Sequence, residues 1–202
     1  MVLDLDAIKH GSAESGVEDL ILRRWSPRAF SDKVVSDEDM KKIFTAASWA
    51  ASSSNEQPWR FLVGRKGDAT YGKIFDSLVE FNQMWAGSAP VLILSVAMKS
   101  FSKNGQPNAW ALHDTGAASA TMSLQATALG LHTHGMAGFD KDKARVSFNL
   151  PEDVEPGAVW ALGFLGDPDT LPEKLQAMEK GPRVRKALPE FVFAEWEKPA
   201  AL

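Results

Sequence analysis

Two clusters of basic residues lie near opposite ends of an acidic chain, one at residues 23–28 and the other at residues 180–186. A single arginine would suffice to complement the dipole at a helix end, and either cluster alone has the default reading of solvated surface charge. Together they favour convergence on one anion, because guanidinium groups match phosphate oxygens in a bidentate geometry. The chemistry that this predicts is the binding of a phosphorylated ligand.

A polar stretch within residues 49–61 is the second candidate. Three consecutive serines begin at Ser52, and Asn55 and Gln57 follow them, with a tryptophan on each side of the run. Ser and Asn side chains form turns by bonding to the local backbone. The same groups can also offer hydroxyl, amide and N–H contacts to a ligand. Locally, both interpretations stay open.

Other catalytic patterns are weak. The chain contains no cysteine, which excludes thiolate metal sites and cysteine nucleophiles. It has no P-loop, no Gly-x-Gly-x-x-Gly fingerprint and no Gly-x-Ser-x-Gly elbow. His132 and His134 have metal-compatible alternate spacing but lack an acidic companion at informative spacing. His113, beside Asp114, is interpreted as a helix-start or interface residue rather than a general base.

Composition sets the broad class. The chain has 202 residues, 45% of them hydrophobic and 24% charged, with a net charge of −4. These values predict one soluble globular domain spanning residues 1–202. An acidic balance gives no support for binding nucleic acid or an anionic membrane. The absence of cysteine and of a signal pattern, together with an apolar run at 91–98 too short to span a bilayer, predicts a cytoplasmic protein.

Helical and extended patterns alternate along the chain. Helices are predicted at 15–25, 36–50, 68–81, 113–130 and 140–148, after a loosely placed N-terminal arm. Strands are predicted at 60–64, 90–98 and 157–166, with a strand or extended turn at 132–139 and a short helix or strand at 188–196. The runs at 90–98 and 157–166 lack polar alternation, so we expect a sheet covered on both faces. This pattern predicts an α/β or α+β fold.

Six short motifs lie in a specific order along the chain. They are Arg-Arg-Trp-Ser-Pro-Arg-Ala-Phe at 23–30, Ser-Ser-Ser-Asn-Glu-Gln-Pro-Trp-Arg-Phe at 52–61, Leu-Gln-Ala-Thr-Ala-Leu-Gly-Leu at 124–131, Gly-Phe at 138–139, Leu-Gly at 162–163 and Arg-Val-Arg-Lys at 183–186. Each motif is weak alone, but their order and spacing are specific, and from about Leu22 to Phe193 the chain resembles the nitroreductase family of flavoproteins. The resemblance implies an α+β fold with a central, mostly antiparallel sheet flanked by helices. It also implies an intertwined homodimer with two FMN molecules at the interface.

Residues for the phosphate end of the flavin follow from the resemblance. The first basic motif would hold the phosphate and the ribityl chain through Arg24, Ser26 and Arg28. The second motif would close on the phosphate through Arg183 and Arg185.

The polar turn would contribute to the other subunit's site. In the family this segment reaches the cofactor from the partner chain, which implicates Ser52, Ser53 and Asn55. Each subunit would then lend its partner half a site.

Residues near the flavin ring are also implied. Asn82 matches an asparagine that binds the flavin, and Met136, Ala137 and Gly138 match the backbone beside the ring. Some family members carry an acidic residue in place of Ala137 and a lysine near Trp85. These departures affect the ring environment and the substrate contacts.

The implied function is an FMN-dependent oxidoreductase. NAD(P)H would deliver hydride to flavin N5, and a small-molecule acceptor such as a nitroaromatic or a quinone would take it in a ping-pong cycle. The flavin carries this chemistry, so no protein nucleophile is required. Trp25 and Trp85 are expected to narrow the pocket over the flavin, so the sequence does not identify the acceptor. The alternatives are a flavin carrier or sensor, a flavoenzyme of other chemistry such as dehalogenation, and a small hydrolase that uses one of the serines.

Overall fold

A four-stranded antiparallel sheet forms the centre of the fold in the computed structural model, which describes residues 4–11 and 16–201. Its strands are β1 (Trp59–Arg65), β2 (Val91–Met98), β3 (His132–Met136) and β4 (Val154–Gly163), in the spatial order β1-β2-β4-β3. Each neighbouring pair is antiparallel. The predicted central antiparallel sheet is therefore confirmed.

Helices flank this sheet, and a small hairpin of β5 (Phe193–Glu195) and β6 (Lys198–Pro199) lies near the C-terminus. The helices are α1 (Leu5–Lys9), α2 (Asp19–Arg23), α3 (Asp37–Ser48), α4 (Ala69–Ser77), α5 (Glu80–Ala86), α6 (Ala111–Ala128), α7 (Lys141–Phe148) and α8 (Glu173–Lys180). This arrangement is the predicted α+β class.

Strand β2 is covered on both faces, as its unbroken apolar run predicts. Alternate residues of a strand point to opposite faces, and Leu92 and Leu94 join a cluster that contains residues of α4, α5, α7 and α8. Val91 and Ile93 join a second cluster, with Ile43 of α3 and residues of α6. The sheet is thus the middle layer of three.

Side-chain caps begin several helices where the sequence predicts a helix start. Ser36 Oγ accepts a hydrogen bond from the N–H of Asp39 at 3.0 Å at the start of α3. Asp68 accepts from the N–H of Tyr71 at 2.7 Å at the start of α4. Each cap satisfies a donor that has no partner within the helix.

The single helix predicted at 68–81 is wrong, because α4 ends at Ser77 and α5 begins at Glu80. Tertiary hydrogen bonds occupy the backbone between them. The N–H of Val79 donates to the oxygen of Gly138 at 3.1 Å, and the N–H of Asp140 donates to the oxygen of Ser77 at 2.7 Å. These bonds replace intrahelical ones, and the break turns α5 towards residue 138.

The chain ends also differ from expectation. The N-terminal arm contains α1, and the helix predicted from residue 15 covers only α2, with residue 15 outside the described residues. Helix α8 was not predicted, and residues 188–196 contain both a short 3-10 turn and β5. Within residues 4–11 and 16–201, no helix has both the length and the apolar character needed to cross a membrane.

Candidate functional site

The two basic clusters lie in contact, although they are far apart in sequence. Arg183 donates through Nη1 to the main-chain oxygen of Arg24 at 2.6 Å and through Nη2 to the oxygen of Leu22. Those oxygens belong to the C-terminal turn of α2, where helical carbonyls lack partners within the helix. Arg183 therefore fastens the C-terminal tail to the first basic cluster.

Arg24, Arg183 and Arg185 form a patch of positive charge, which we call the basic patch. Burial and the nearby Arg185 lower the pKa of Arg24 from its ordinary value. Burial, Arg185 and Arg24 do the same to the pKa of Arg183. Among the described residues, no ion pair joins any of these three arginines to a carboxylate. Clustered like charges that lack a counter-charge are the environment of an anion site.

Ser26 lies beside this patch. Its hydroxyl oxygen is 3.4 Å from Nη1 of Arg24, which donates to it, and the residue is exposed. The hydroxyl can also donate to a bound oxygen.

Arg28 faces a buried carboxylate. Glu179 of α8 is 1% exposed, and its Oε1 accepts from the N–H groups of Arg28 and Ala29 at 2.7 and 3.0 Å. Its Oε2 lies 3.9 Å from Arg28 Nη1, whereas Arg28 Nε is buried and has no hydrogen-bond partner among the described residues. Glu179 thus fixes the backbone of the first basic cluster and offsets part of its charge.

His134 holds the same loop from the other side. Its Nδ1 is 2.8 Å from the oxygen of Pro27, and since a carbonyl only accepts, Nδ1 carries the proton. Its ring lies against Trp85, with centroids 4.5 Å apart. Burial lowers the pKa of His134 to about 4, so the imidazole is neutral at neutral pH.

The residues predicted to lie beside the flavin ring form a compact group. Asn82, which is buried, donates through Nδ2 to the oxygen of Gly138 at 2.9 Å. A Cβ at residue 138 would lie 2.8 Å from that same nitrogen, so only glycine fits here. Met136 is buried and Ala137 is exposed. The structure therefore brings Asn82 to the predicted backbone segment.

The polar turn is held tightly and is conformationally strained. Ser52 Oγ accepts from the N–H of Gln57 at 3.0 Å, and the N–H of Ser53 donates to Asp114 Oδ2 at 2.9 Å. Positive φ angles of 54°, 54° and 53° occur at Ser54, Asn55 and Gln57. Such a cluster of left-handed, non-glycine residues costs roughly 1–3 kcal/mol each and is typical of functional segments.

Among the described residues, no hydrogen bond or ion pair joins this turn to the basic patch or to the Asn82 group. Within the described residues, the hydrogen bonds of residues 52–57 stay inside the turn or go to residues 60, 102 and 114. The predicted site residues therefore fall into two groups. One group contains the basic patch and the ring-side residues, which His134 links through its contacts with Pro27 and with Trp85 of α5, and the other contains Ser52, Ser53 and Asn55.

Sequence reasoning missed residues that support these groups. Glu179 contacts Ala29 across a separation of 150 residues, and no local pattern identifies such a partner. Asp114 was visible beside His113, but its bond to Ser53 depends on how the turn packs on α6. His134 was considered only as a metal ligand.

The chain is similar to proteins of known family. The model of the Nitroreductase family matches residues 21–78 and 65–164. An Archaeoglobus fulgidus protein, provisionally named NADH dehydrogenase/NAD(P)H nitroreductase, is 31% identical over 152 residues, which cover 73% of this chain and 84% of that protein. Nitrobenzene nitroreductase of Ectopseudomonas oleovorans is 51% identical over 47 residues, or 23% of this chain and 21% of that protein.

A solved structure has the same fold along nearly the whole chain. The crystal structure of an oxidoreductase containing FMN superposes with a TM-score of 0.85 and 35% identity, covering 91% of this chain and 93% of that one. This likeness agrees with the match to the family model and with the shared arrangement of sheet and helices. The chain belongs to the nitroreductase family.

Proposed function

We propose that this protein is an FMN-dependent NAD(P)H oxidoreductase that reduces a nitroaromatic, a quinone or a similar small molecule by a ping-pong mechanism. The observation that carries the proposal is the contact between the two basic clusters. At this contact, neither Arg24 nor Arg185 has a carboxylate partner among the described residues. Family membership supplies the reason to identify the anion as the phosphate of FMN.

The donor set suits the phosphate end of FMN. Arg24, Ser26 and Arg185 would hold the phosphate, with Arg183 supporting them through the backbone of α2. Arg28 Nε, which is buried and has no hydrogen-bond partner in the described part of the chain, is a further donor for the ribityl chain or the ring edge. Charge-assisted bonds of this kind are stronger than bonds between neutral groups.

The ring end of the site needs backbone and amide groups. Asn82 and the segment Met136 to Gly138 would lie beside the ring, where Ala137 and Gly138 present main-chain N–H and C=O groups without large side chains. When bound, FMN supplies the redox chemistry, taking hydride at N5 from a nicotinamide and giving it to an acceptor. The protein would bind, orient and partly cover it.

The other half of each site would come from a second subunit in a homodimer. Among the described residues, no hydrogen bond or ion pair ties the turn that carries Ser52, Ser53 and Asn55 to the basic patch of its own chain. The surface near this turn is apolar and exposed, with Trp49 83% and Trp110 58% accessible. Small residues of α6 such as Gly116 and Ala120 are exposed as well and would allow close approach of the two chains.

We further propose that one face of the flavin serves both reaction partners in turn. A pocket closed by two subunits has room for one planar molecule above the ring, so the oxidised nicotinamide leaves before the acceptor enters. This sequence of events is a ping-pong cycle. The proposed unit is one domain, residues 1–202, and the lack of cysteine fits a reducing location such as the cytoplasm.

The proposal is tested with purified protein stripped of ligand. We expect it to take up one FMN per chain. The yellow colour of the bound flavin should then disappear reversibly when NADH or NADPH is added without oxygen. A panel of nitroaromatics, quinones and enones would then identify the acceptor class. Protein that takes up FMN but is not reduced by either nicotinamide would indicate a carrier or sensor instead.

A further inference from the structure

A cavity of about 320 Å³ lies between the polar turn and the first turns of α6. Its lining combines small residues with one aromatic ring and one pair of ionisable groups. The residues are Ala51, Ser52, Ser53, Trp110, His113, Asp114 and Ala117. Ser52 and Ser53 are the residues that we assign to the partner's FMN, so the cavity would open beside that cofactor.

His113 and Asp114 form a hydrogen-bonded pair in this cavity. His113 Nδ1 lies 3.0 Å from Asp114 Oδ1, and the carboxylate of Asp114 is nearly fully buried whereas the imidazole is 74% exposed. An ionised carboxylate only accepts hydrogen bonds, so Nδ1 carries a proton and Nε2 is left free for a second partner. The other oxygen, Oδ2, accepts from the N–H of Ser53. Asp114 therefore fixes the imidazole and the turn together.

Trp110 completes the arrangement. Its ring meets the imidazole edge to face, with centroids 5.9 Å apart, and it is 58% exposed. An exposed indole offers a flat apolar surface to an aromatic acceptor. Among the described residues that line the cavity, His113 and Asp114 are the ionisable ones.

We propose that His113 protonates the acceptor in this cavity, with Asp114 as its positioning residue and Trp110 as the stacking wall. This inference rests on the proposed function. A quinone that becomes a hydroquinone gains two electrons and two protons. Hydride from the reduced flavin accounts for both electrons and one proton, and the protonated imidazole supplies the other proton to the quinone oxygen. The imidazole then regains a proton from water.

The test compares acceptors that do and do not need a proton. In FMN-loaded protein, His113→Gln should slow the reduction of menadione by about 10- to 100-fold. This effect lies at or below the low end of the rate contributions of general acids, because water can reach the open cavity and supply the proton instead. Reduction of ferricyanide, which takes one electron and no proton, should be unchanged. Flavin reduction by NADH should also be unchanged.

The control is His10→Gln. His10 also hydrogen-bonds an aspartate, with Nε2 2.9 Å from Asp19 Oδ1, but it lies outside the cavity. We expect both rates to stay at the wild-type value in this variant. Asp114→Asn, which keeps the size of the side chain, should slow the reduction of menadione more than the reduction of ferricyanide.

A second readout does not depend on turnover. In the FMN-free protein, menadione should shift the Nε2 resonance of His113 in nitrogen NMR spectra, and His113→Gln assigns that signal. If His113→Gln slows the reduction of menadione and of ferricyanide equally, or slows neither, the inference is overturned. An Nε2 resonance of His113 that menadione does not shift would also overturn it. A protein that binds no FMN would instead refute the proposed function.

Discussion

Arg183 Nη1 donates to the main-chain oxygen of Arg24 over 2.6 Å, so the C-terminal tail is bonded to the backbone of the cluster that it was predicted to complement. Both assigned hydrogen bonds of the Arg183 guanidinium go to carbonyl oxygens of α2 and its cap. Arg185, two residues further on, is exposed, and its one side-chain hydrogen bond within the described residues goes to the neighbouring oxygen of Val184. The two arginines therefore have different tasks, which their shared motif does not reveal.

The first prediction separates these tasks. Arg185→Gln should weaken FMN binding by about 10- to 100-fold, because a charge-assisted contact to the phosphate is lost, with little change in the stability of the FMN-free protein. Arg183→Gln should lower both the FMN affinity and the stability, since the oxygens of Leu22 and Arg24 lose the charged donor that ties the tail to α2. Flavin fluorescence titration and urea unfolding measure the two quantities.

Riboflavin serves as the control ligand because it lacks the phosphate. Its affinity should be the same in Arg185→Gln as in the wild type. Equal weakening of riboflavin and FMN would show that Arg185 does not bind the phosphate.

The second prediction concerns the close contact at Gly138. In Gly138→Ala the new methyl group would meet Asn82 Nδ2 at 2.8 Å and Val79 Cγ2 at 3.0 Å. We expect Asn82 to be displaced and flavin affinity to fall at least about tenfold. The matched control is Gly72→Ala in α4, where nothing lies within 4 Å of the new Cβ, and it should raise stability by about 0.5–1 kcal/mol. Normal flavin affinity in Gly138→Ala would contradict the assignment of Asn82.

The third prediction is a pH dependence of stability. Burial lowers the pKa of His134 to about 4 in the folded protein, whereas an unfolded histidine titrates near 6.5. Between these values the unfolded chain binds the additional proton, so stability should fall as the pH falls from about 6.5 to 4. The loss attributable to His134 is up to roughly 3 kcal/mol.

His134→Asn tests this assignment. The asparagine amide can replace Nδ1 as donor to Pro27, but it does not titrate. Urea unfolding at pH 7.5 and pH 5 should show a smaller difference in this variant than in the wild type. His132, whose pKa burial also lowers, leaves a residual dependence in the same direction. An unchanged difference would mean that His134 is accessible to protons in the folded state.

The fourth prediction tests sites shared between subunits. Asn55→Gly removes the amide while tolerating the positive φ of this residue, and Arg24→Ala removes the proposed phosphate ligand. Each variant alone should have low activity. Random mixing should restore about a quarter of the wild-type sites, because half of the dimers are mixed and each contains one intact site. If refolded mixtures stay as inactive as their parents, the two groups of residues do not serve one shared site.

Much of the fold is legible from local patterns. The apolar run of β2, the caps at Ser36 and Asp68 and the turn after Trp49 all follow from residue type and spacing. The break between α4 and α5 does not, because Leu78 and Val79 continue a helical pattern that is interrupted by the bonds of Val79 to Gly138 and of Asp140 to Ser77.

The site residues were predicted from charge and from the family resemblance rather than from local patterns of secondary structure. The basic clusters were predicted from their charge and given a role by the family resemblance, the residues near 138 were identified through the resemblance, and the structure brings each group together. Glu179 and Arg183 acquire their tasks from bonds between residues 150 or more positions apart. No periodicity encodes such contacts, since they depend on where α8 and the tail pack.

The most direct test of the central claim follows the bound flavin through two separated steps. Protein loaded with FMN is reduced by NADH or NADPH without oxygen, the nicotinamide is removed by gel filtration, and menadione or a nitroaromatic is added. We predict that the flavin colour disappears in the first step and returns fully in the second, with no nicotinamide present. A chain that retains no FMN, or a reduced flavin that is reoxidised only while nicotinamide remains bound, would contradict the account.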